Sequence, residues 1–497
     1  MFVPPSPLDK PELFFALVGP LGTDLDAITT ALRAELLIVG YRLEKPIRLI
    51  KLAKALAKYE RLNESSASED ERLCANMDAG DEIRRSFGHG GALAALAVAE
   101  VKRLRKTEEP LPATAFLLRS LKHPAEVALL REVYGPSLVV ISVHEAHGER
   151  VKRLAQKIEK SRRDPEGART FAEQLIMRDQ DGSTDKLGQS VRKTFPLADF
   201  FLDAGGDLRR QIERLAHVLF NHPQTSPTRD EYAMFSAQAV ALRSSDMSRQ
   251  IGAAIVDADG EVIAVGCNEV PKPGGGVYWT GDEPDCRDFR QGSDPNAIMG
   301  RKILLEVFRE LKHAGWLGPE RAGLEPSDLV EEAREAKLLD RARITNLIEF
   351  GRVVHAEMNA LVYAARRGVP VDGQKLYCTT FPCHVCARHI IGAGIRSIVF
   401  IEPYPKSLAL ELYPEAVDPV GDKSVSFRPF TGIAPRRYLE FFDFGRRKDA
   451  RGYALCWNPG SALPRVRSLG NPHLLAEKAL CDKLQRTLGA YELAAKR

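Results

Sequence analysis

The sequence has few aromatic residues, almost no charge excess and no long apolar run. Phe, Trp and Tyr make up 7% of the 497 residues, and 71 basic against 67 acidic side chains leave a formal net charge of +4. Proteins that bind single-stranded nucleic acid combine a basic groove with stacking aromatic rings. This composition therefore predicts no stable nucleic-acid binding. No apolar stretch approaches the roughly 20 residues of a membrane span, so we expect no membrane association.

Cysteine is also sparse, and we expect a protein without disulfides. The eight cysteines are scattered, and only Cys383 and Cys386 have the spacing of metal ligands. Thiolate ligands need a reducing compartment. The N-terminal segment MFVPPSPLDK lacks the apolar core of a secretion signal. Both observations predict a cytoplasmic protein.

The length exceeds what one hydrophobic core usually supports, so two domains are expected. The polar segment NHPQTSPTRDE (221–231) contains two prolines and is typical of a boundary. We predict an N-terminal domain over 1–222 and a C-terminal domain over 223–497. In the first, apolar strand-like runs alternate with helical patterns, which predicts an α/β fold with a doubly wound parallel sheet.

The first apolar run leads into the glycine-containing turn GPLGTDLD. Strand, glycine turn and helix form the layout of a phosphate-binding loop, with Gly19, Gly22 and Thr23 as candidate nucleotide-binding residues. The lysine that reaches the phosphates in such loops is missing, because Thr23 and Asp24 follow Gly22. The alternative is that Thr23 or Asp24 simply caps the helix.

The strongest signal is a pair of motifs in residues 353–386. His355 and Glu357 begin a helical pattern, and Pro382 precedes Cys383 and Cys386. A His-x-Glu followed by Pro-Cys-x-x-Cys is the signature of zinc nucleobase deaminases. One imidazole and two thiolates hold Zn²⁺ and leave its fourth position for an activated water. Glu357 is predicted to be the catalytic acid and base. A structural zinc site or a redox pair is the alternative, but neither needs Glu357.

Further motifs resemble those of the deoxycytidylate deaminases. They are SRQIGAAIVDADGEVIAVGCNEVP (248–271), the Thr-x-Phe-Pro-Cys form of the second zinc motif, and IEPYPKSLA (401–409). The resemblance implies a cytidine-deaminase-like α/β/α domain in which a mixed sheet carries both zinc helices on one face. It also implies that Asn268 contacts the substrate sugar and that Arg249 has a structural or phosphate-binding role. Residues 272–350 interrupt the domain, as an insert that caps the substrate or makes an oligomer contact.

Two more residues follow from the third motif. Tyr404 is predicted to stack on the base and Lys406 to approach the phosphate. The alternatives are that Tyr404 belongs to the core and that Lys406 is solvated.

The chain as a whole, from Leu13 to Trp457, resembles the bacterial anti-phage dCTP deaminases. These join a degenerate P-loop nucleotide-kinase-like domain to a deoxycytidylate deaminase-like domain. The shared segments are GPLGTDLD, NMDAGDEIR, SLKHPAEV, LRSSDMSRQIGA and HAEMNAL. The resemblance implies deamination of dCTP to dUTP and ammonia in phage defence, a regulatory N-terminal domain that binds a nucleotide or phage-derived signal, and a homo-oligomer. A housekeeping dCMP deaminase with an appended regulatory domain, a nucleic-acid-editing deaminase and a non-enzymatic zinc scaffold remain as alternatives.

Overall fold

A computed structural model of the chain forms two compact units. The first unit comprises Met1–Phe235 and Pro429–Arg497, and the second unit comprises Ser236–Arg428. The structure describes residues 10–60, 62, 68–162, 166–181, 186–336, 338–339, 342, 344, 347–402, 407–417, 424–465 and 472–495. No helix in these ranges combines the length and the apolar character needed to cross a membrane.

The regular elements are numbered in chain order. The strands are β1 Leu13–Val18, β2 Arg42–Leu43, β3 Ile47–Arg48, β4 Thr114–Arg119, β5 Leu138–His144, β6 Phe200–Asp203, β7 Gly252–Val256, β8 Val262–Cys267, β9 Lys375–Thr380, β10 Ser397–Glu402, β11 Ser426–Pro429 and β12 Gly432–Ile433. The helices are α1 Leu25–Ile38, α2 Glu69–Ser86, α3 Ala92–Arg105, α4 Pro124–Tyr134, α5 His147–Ser161, α6 Ala168–Asp181, α7 Val191–Thr194, α8 Leu208–Leu219, α9 Arg229–Ala241, α10 Asp288–Gln291, α11 Pro295–His313, α12 Pro326–Glu335, α13 Ala356–Arg366, α14 His384–Gly392, α15 Ala409–Leu412, α16 Tyr438–Phe442 and α17 Pro472–Ala495. Short 3₁₀ helices cover Leu49–Ala55, Ala57–Tyr59, Gly135–Ser137, Phe195–Leu197, Pro435–Arg437 and Pro459–Ser461.

The first unit is built on a seven-stranded sheet in the order β12-β6-β5-β1-β4-β2, with β3 also paired to β4. Strands β1 to β6 pair in parallel, and β12 joins antiparallel at the edge. The prediction of a parallel sheet with alternating helices is confirmed. The central strand β1 is buried along its whole length, which is why its sequence LFFALV has no polar alternation.

Helices cover both faces of this sheet. Leu13, Phe15 and Leu17 pack in one core with residues of α1 and α8. On the opposite face the ring of Phe14 stacks on Tyr134 of α4, with ring centroids 3.7 Å apart. Burying a leucine or phenylalanine side chain contributes about 1.5–3 kcal/mol. The two layers therefore anchor the turn that follows β1 at the carboxyl edge of the sheet.

The division of the chain differs from the prediction in two respects, because the first unit extends to Phe235 rather than to residue 222 and also includes Pro429–Arg497. Residues 429–497 were expected in the C-terminal domain, but they pack with the first unit. Strand β12 extends the first sheet. The buried guanidinium of Arg105 bridges Glu12 and Glu477 of α17, at 2.8 and 2.6 Å. A buried charge is tolerated only when it is paired in this way, so α17 is held to the first unit.

The second unit contains a mixed five-stranded sheet in the order β11-β10-β9-β7-β8. Strands β9 and β10 are parallel, whereas β7 pairs antiparallel with both β8 and β9. Side chains of α13 and α14 share one core with Ala253, Ile255 and Leu376 of the sheet. Both helices thus lie on one face of the sheet, as the resemblance implied, and this places their N-termini near each other.

Candidate functional site

Helix α13 delivers the first two site residues. His355 is its N-cap residue and Glu357 lies in its first turn. The helix lies directly against β8 at Gly266, where a Cβ atom would come within 2.4 Å of the backbone of Ala356 and Ala360. Only glycine permits this approach, so Gly266 sets how closely the start of α13 packs against β8.

Helix α14 delivers the two cysteines. Cys383 is its N-cap residue, and its sulfur accepts a hydrogen bond from the backbone N–H of Cys386 at 3.4 Å. A helix N-terminus favours negative charge and so stabilises thiolate. The preceding Pro382 ends the extended segment after β9 and permits the helix to begin.

The three predicted metal ligands converge. The Nδ1 atom of His355 lies 3.3 Å from the sulfur of Cys383 and 3.3 Å from that of Cys386. All three ligand atoms lie within 4.8 Å of one another. Tetrahedral zinc, with Zn–N of about 2.0–2.1 Å and Zn–S of about 2.3 Å, sets nitrogen and sulfur about 3.5 Å apart. The donor geometry therefore fits Zn²⁺ with one further position open.

The shifted pKa values of the three ligand side chains also favour a bound Zn²⁺. A hydrogen bond from Cys386, opposed by burial and assisted by His355, lowers the pKa of Cys383 to about 4. The hydrogen bond to Cys383 raises the pKa of His355 to about 9, and proximity to Cys383 raises the pKa of Cys386. Two thiols this close resist carrying two negative charges on their own. A divalent cation removes that repulsion, so the donor set is suited to zinc.

Glu357 lies beside the cluster. Its carboxylate Oε2 is 3.5 Å from the sulfur of Cys386, and the residue is 3% exposed. Within the described ranges it forms no ion pair with lysine or arginine. Burial, together with the charge of Cys383, raises the pKa of this carboxyl group. A carboxyl group with a raised pKa is suited to carry a proton near neutral pH.

Two further predicted residues lie on neighbouring backbone segments. The side-chain oxygen of Asn268 accepts from Ile251 N at 2.7 Å, and its nitrogen donates to Arg249 O at 2.6 Å. The guanidinium of Arg249 is paired with Glu402. Asn268 therefore joins the end of β8 to the start of β7, and its contact with a sugar stays a prediction. The phosphate role of Arg249 likewise stays a prediction.

We expect Asn268→Ala to destabilise the protein by about 2 kcal/mol, because it leaves the Ile251 N–H and the Arg249 carbonyl without partners. Asn268→Asp keeps the acceptor for Ile251 but brings a buried negative charge against the Arg249 carbonyl oxygen, so it should cost at least as much. Urea unfolding monitored by circular dichroism measures both changes. Equal midpoints for the wild type and Asn268→Ala would show that the two hydrogen bonds contribute nothing.

Tyr404 and Lys406 lie outside the described residues.

Gly19, Gly22 and Thr23 all line a cavity of about 590 Å³ in the first unit. Gly22 has φ of +90°, and a Cβ atom there would come within 2.8 Å of Arg150 O. The capping alternative is confirmed for Asp24, whose carboxylate accepts from two N–H groups of the first turn of α1. Nucleotide binding by the turn stays a prediction.

Sequence reasoning missed the polar side chains that surround this turn. Lys122 donates to the carbonyl of Gly19, and Asp179 and Glu145 accept from backbone N–H groups of the turn. Asp179 and Glu145 lie more than 120 residues from the groups they contact. No local pattern marks them, because Asp179 lies on α6 and Glu145 directly follows β5, and both reach the turn only in the folded unit.

Part of the chain is similar to known proteins. A family model described as the cytidine and deoxycytidylate deaminase zinc-binding region matches residues 227–402. ComE operon protein 2 of Bacillus subtilis is 42% identical over 66 residues, 13% of this chain and 35% of that protein. The deoxycytidylate deaminase of enterobacteria phage T2 is 29% identical over 173 residues, 34% of this chain and 78% of that enzyme.

A solved structure is also similar. The dCMP deaminase of cyanophage S-TIM5 in complex with dCMP and dUMP is 20% identical, with a TM-score of 0.24, and the match covers 42% of this chain and 100% of that one. The chain spans about a third of the length of the Bacillus relative. Residues 227–402 therefore match the zinc-binding region of the cytidine and deoxycytidylate deaminases.

Proposed function

We propose that the protein removes the amino group of a deoxycytidine nucleotide by hydrolysis of the C4–N bond. The observation that carries this proposal is the convergence of His355, Cys383 and Cys386 with a buried Glu357, inside a region that matches the deaminase family model. A structural zinc site has no use for a buried carboxylate without a cation partner, since burying it costs free energy.

Each of these side chains has a role in the proposed reaction. His355, Cys383 and Cys386 would hold Zn²⁺, which would supply the Lewis acidity that activates a water for attack on the ring. Glu357 takes a proton from the water and delivers it to the ring nitrogen N3. It then takes the remaining proton of the hydroxyl group that water has added to C4 and passes it to the amino group, so the C4–N bond breaks, ammonia leaves and the C4 carbonyl forms. The buried position of Glu357 keeps bulk water from exchanging that proton.

The proposed substrate is dCTP, with dUTP as the product. This choice draws on the resemblance to the bacterial anti-phage dCTP deaminases. The alternative substrate, dCMP, is equally well supported, because the phage T2 relative is named a deoxycytidylate deaminase.

The same resemblance supports a wider role. We propose that deamination depletes dCTP during phage infection, in the cytoplasm and by a homo-oligomer. The first unit is proposed to be a degenerate P-loop kinase-like domain that regulates the deaminase in response to a nucleotide or a phage-derived signal. The strand–turn–helix layout around Gly19 and Gly22 supports this assignment.

The test is to incubate the zinc-loaded full-length protein separately with dCTP, dCMP, CTP and a cytosine-containing single strand. Ammonia and the uracil product are measured for each. We expect turnover of dCTP. Turnover of dCMP alone would favour the housekeeping alternative, and turnover of the single strand would favour an editing enzyme. No ammonia from any of the four, with full zinc occupancy and also in infected-cell extract, would contradict deamination.

A further inference from the structure

The predicted zinc ligands gather at one edge of the second sheet, where β7 begins and β8, β9 and β10 end. Cys383 lies three residues after the end of β9. His355 reaches the same edge because its neighbour Val354 exchanges two backbone hydrogen bonds with Glu269, which follows β8. A charged side chain that is open to solvent at this edge therefore lies beside the proposed substrate site.

Arg249 and Glu402 form an ion pair at this edge. Arg249 precedes β7, and Glu402 is the last residue of β10. The two side chains are 43% and 24% exposed, so a charged ligand can reach them from solution. The pair thus links two parts of the site edge through a contact that faces water.

The backbone of each partner is tied to a segment of the site. The carbonyl of Arg249 accepts a hydrogen bond from Asn268 Nδ2 at 2.6 Å. The carbonyl of Glu402 accepts from the N–H of Phe381 at 2.7 Å, and Phe381 lies two residues before Cys383. The ion pair therefore spans the distance between the segment that holds Asn268 and the segment that holds the cysteine ligands.

The contact between the two side chains leaves guanidinium donors unused. It joins Nη2 of Arg249 to Oε2 of Glu402, and no other acceptor binds this guanidinium among the described residues. The fork of two hydrogen bonds that a guanidinium forms with an oxyanion is therefore incomplete. Ion pairs between half-exposed side chains are also weak, because water screens them. A phosphate that offers two oxygen atoms can thus replace Glu402 at this guanidinium.

Glu402 and a phosphate group would be rivals at this position. Both are anions, and like charges repel at short distance. A nucleotide that binds at Arg249 must break the ion pair and leave Glu402 without its partner. The carboxylate therefore lowers the affinity for a nucleotide, whereas the guanidinium raises it.

We propose that Glu402 competes with a phosphate of the substrate for Arg249, so that the ion pair opens when a deoxycytidine nucleotide binds and forms again when the product leaves. The inference rests on the proposed function and deepens it, because it identifies a residue that sets the affinity for the phosphate end of the nucleotide. The guanidinium is paired in both states, with Glu402 in the free protein and with phosphate in the complex.

The test is calorimetric titration of the full-length, zinc-loaded protein with dUMP and dUTP. These nucleotides carry the sugar and phosphates of the two candidate substrates but no amino group, so binding is measured without turnover. We expect at least one of them to bind and Glu402→Gln to tighten that binding by about threefold or more. Arg249→Gln should weaken it by about fivefold or more. Glu261→Gln, at an exposed position at the opposite edge of the sheet, is the control and should leave the affinity unchanged.

A double-mutant cycle separates competition from simple charge repulsion. If Glu402 acts by occupying Arg249, its replacement by glutamine raises the affinity only while Arg249 is present. We therefore expect Glu402→Gln to have almost no effect in the Arg249→Gln background. Repulsion between Glu402 and phosphate would instead give the same gain in both backgrounds. Thermal unfolding checks the fold of each variant, which should survive because a half-exposed ion pair contributes little to stability.

Three results would overturn the proposal: no binding of either nucleotide by the wild type and by Glu402→Gln, unchanged or weaker binding in Glu402→Gln, or an equal gain in both backgrounds. Turnover of dCMP and dCTP is measured separately on the same samples. Turnover by the wild type, with no effect of Glu402→Gln on binding, contradicts this inference alone. The expected binding pattern without turnover contradicts the proposed deamination and supports the competition at Arg249.

Discussion

Replacing Glu357 by glutamine is expected to lower the deamination rate by about 10³-fold, within the range that a general acid–base residue contributes. Glutamine has nearly the same volume and retains an acceptor oxygen, but it cannot take a proton from water and pass it to the ring. The variant is assayed by ammonia release under saturating substrate, with zinc content measured by mass spectrometry.

The fold should survive this substitution. Glu357 is buried and lacks a lysine or arginine partner in the described part of the chain, so its charge costs free energy that a neutral amide does not. We therefore expect an unfolding temperature equal to or above that of the wild type, with full zinc content. Glu261→Gln, at an exposed position in the turn between β7 and β8, is the matched control and should keep full activity.

The opposite result is equally informative. If Glu357→Gln retains more than about a tenth of the wild-type rate, another group carries the proton and Glu357 does not belong to the mechanism. If the variant loses zinc as well as activity, the role of Glu357 is to support the ligands rather than to move protons. Catalysis and metal retention are thus separated by one pair of measurements.

The metal cluster could be predicted because its residues lie in two short motifs. The spacing of Cys383 and Cys386 sets both sulfurs at the start of one helix, and His355 begins another. The sequence does not state that the two helix ends meet. That follows from the packing of α13 and α14 on one face of the sheet, where Gly266 permits the close approach of α13.

In the first unit the strands could be predicted from the sequence, but the contacts around the glycine turn could not. Its buried strands are continuous apolar runs, so β1, β4 and β5 were predictable. The carboxylates of Asp179 and Glu145 at the glycine turn were not, because each comes from a distant part of the chain. The absence of the phosphate-binding lysine from the glycine turn could be read from the sequence, but the side chains that contact the turn could not.

The tail of the chain illustrates a second limit. Strand β12 is two residues long, which is too short to produce a periodic pattern. Its assignment to the first unit depends on pairing with β6. That of α17 depends on the buried contact between Arg105 and Glu477, which are 372 residues apart. Charged residues of this kind are normally read as surface positions, and only their mutual neutralisation permits burial.

Cys383→Ala is expected to weaken zinc binding by about 10²–10³-fold and to abolish deamination. Structural zinc sites bind with about 10–16 kcal/mol from four ligands, so one thiolate accounts for about 2.5–4 kcal/mol. The loss of one donor leaves only His355 and Cys386 on the metal. Zinc retained after dialysis against a chelator measures the effect without reference to activity.

Cys267→Ala is the matched control for this variant. Cys267 is fully buried in the same unit, yet it is not part of the cluster. Both substitutions remove one buried sulfur, so each should cost about 1 kcal/mol through packing alone. Because this common cost is small, any larger loss in Cys383→Ala reports the metal. Equal zinc retention in the two variants would remove Cys383 from the ligand set, and the activity of the protein would then need a different explanation.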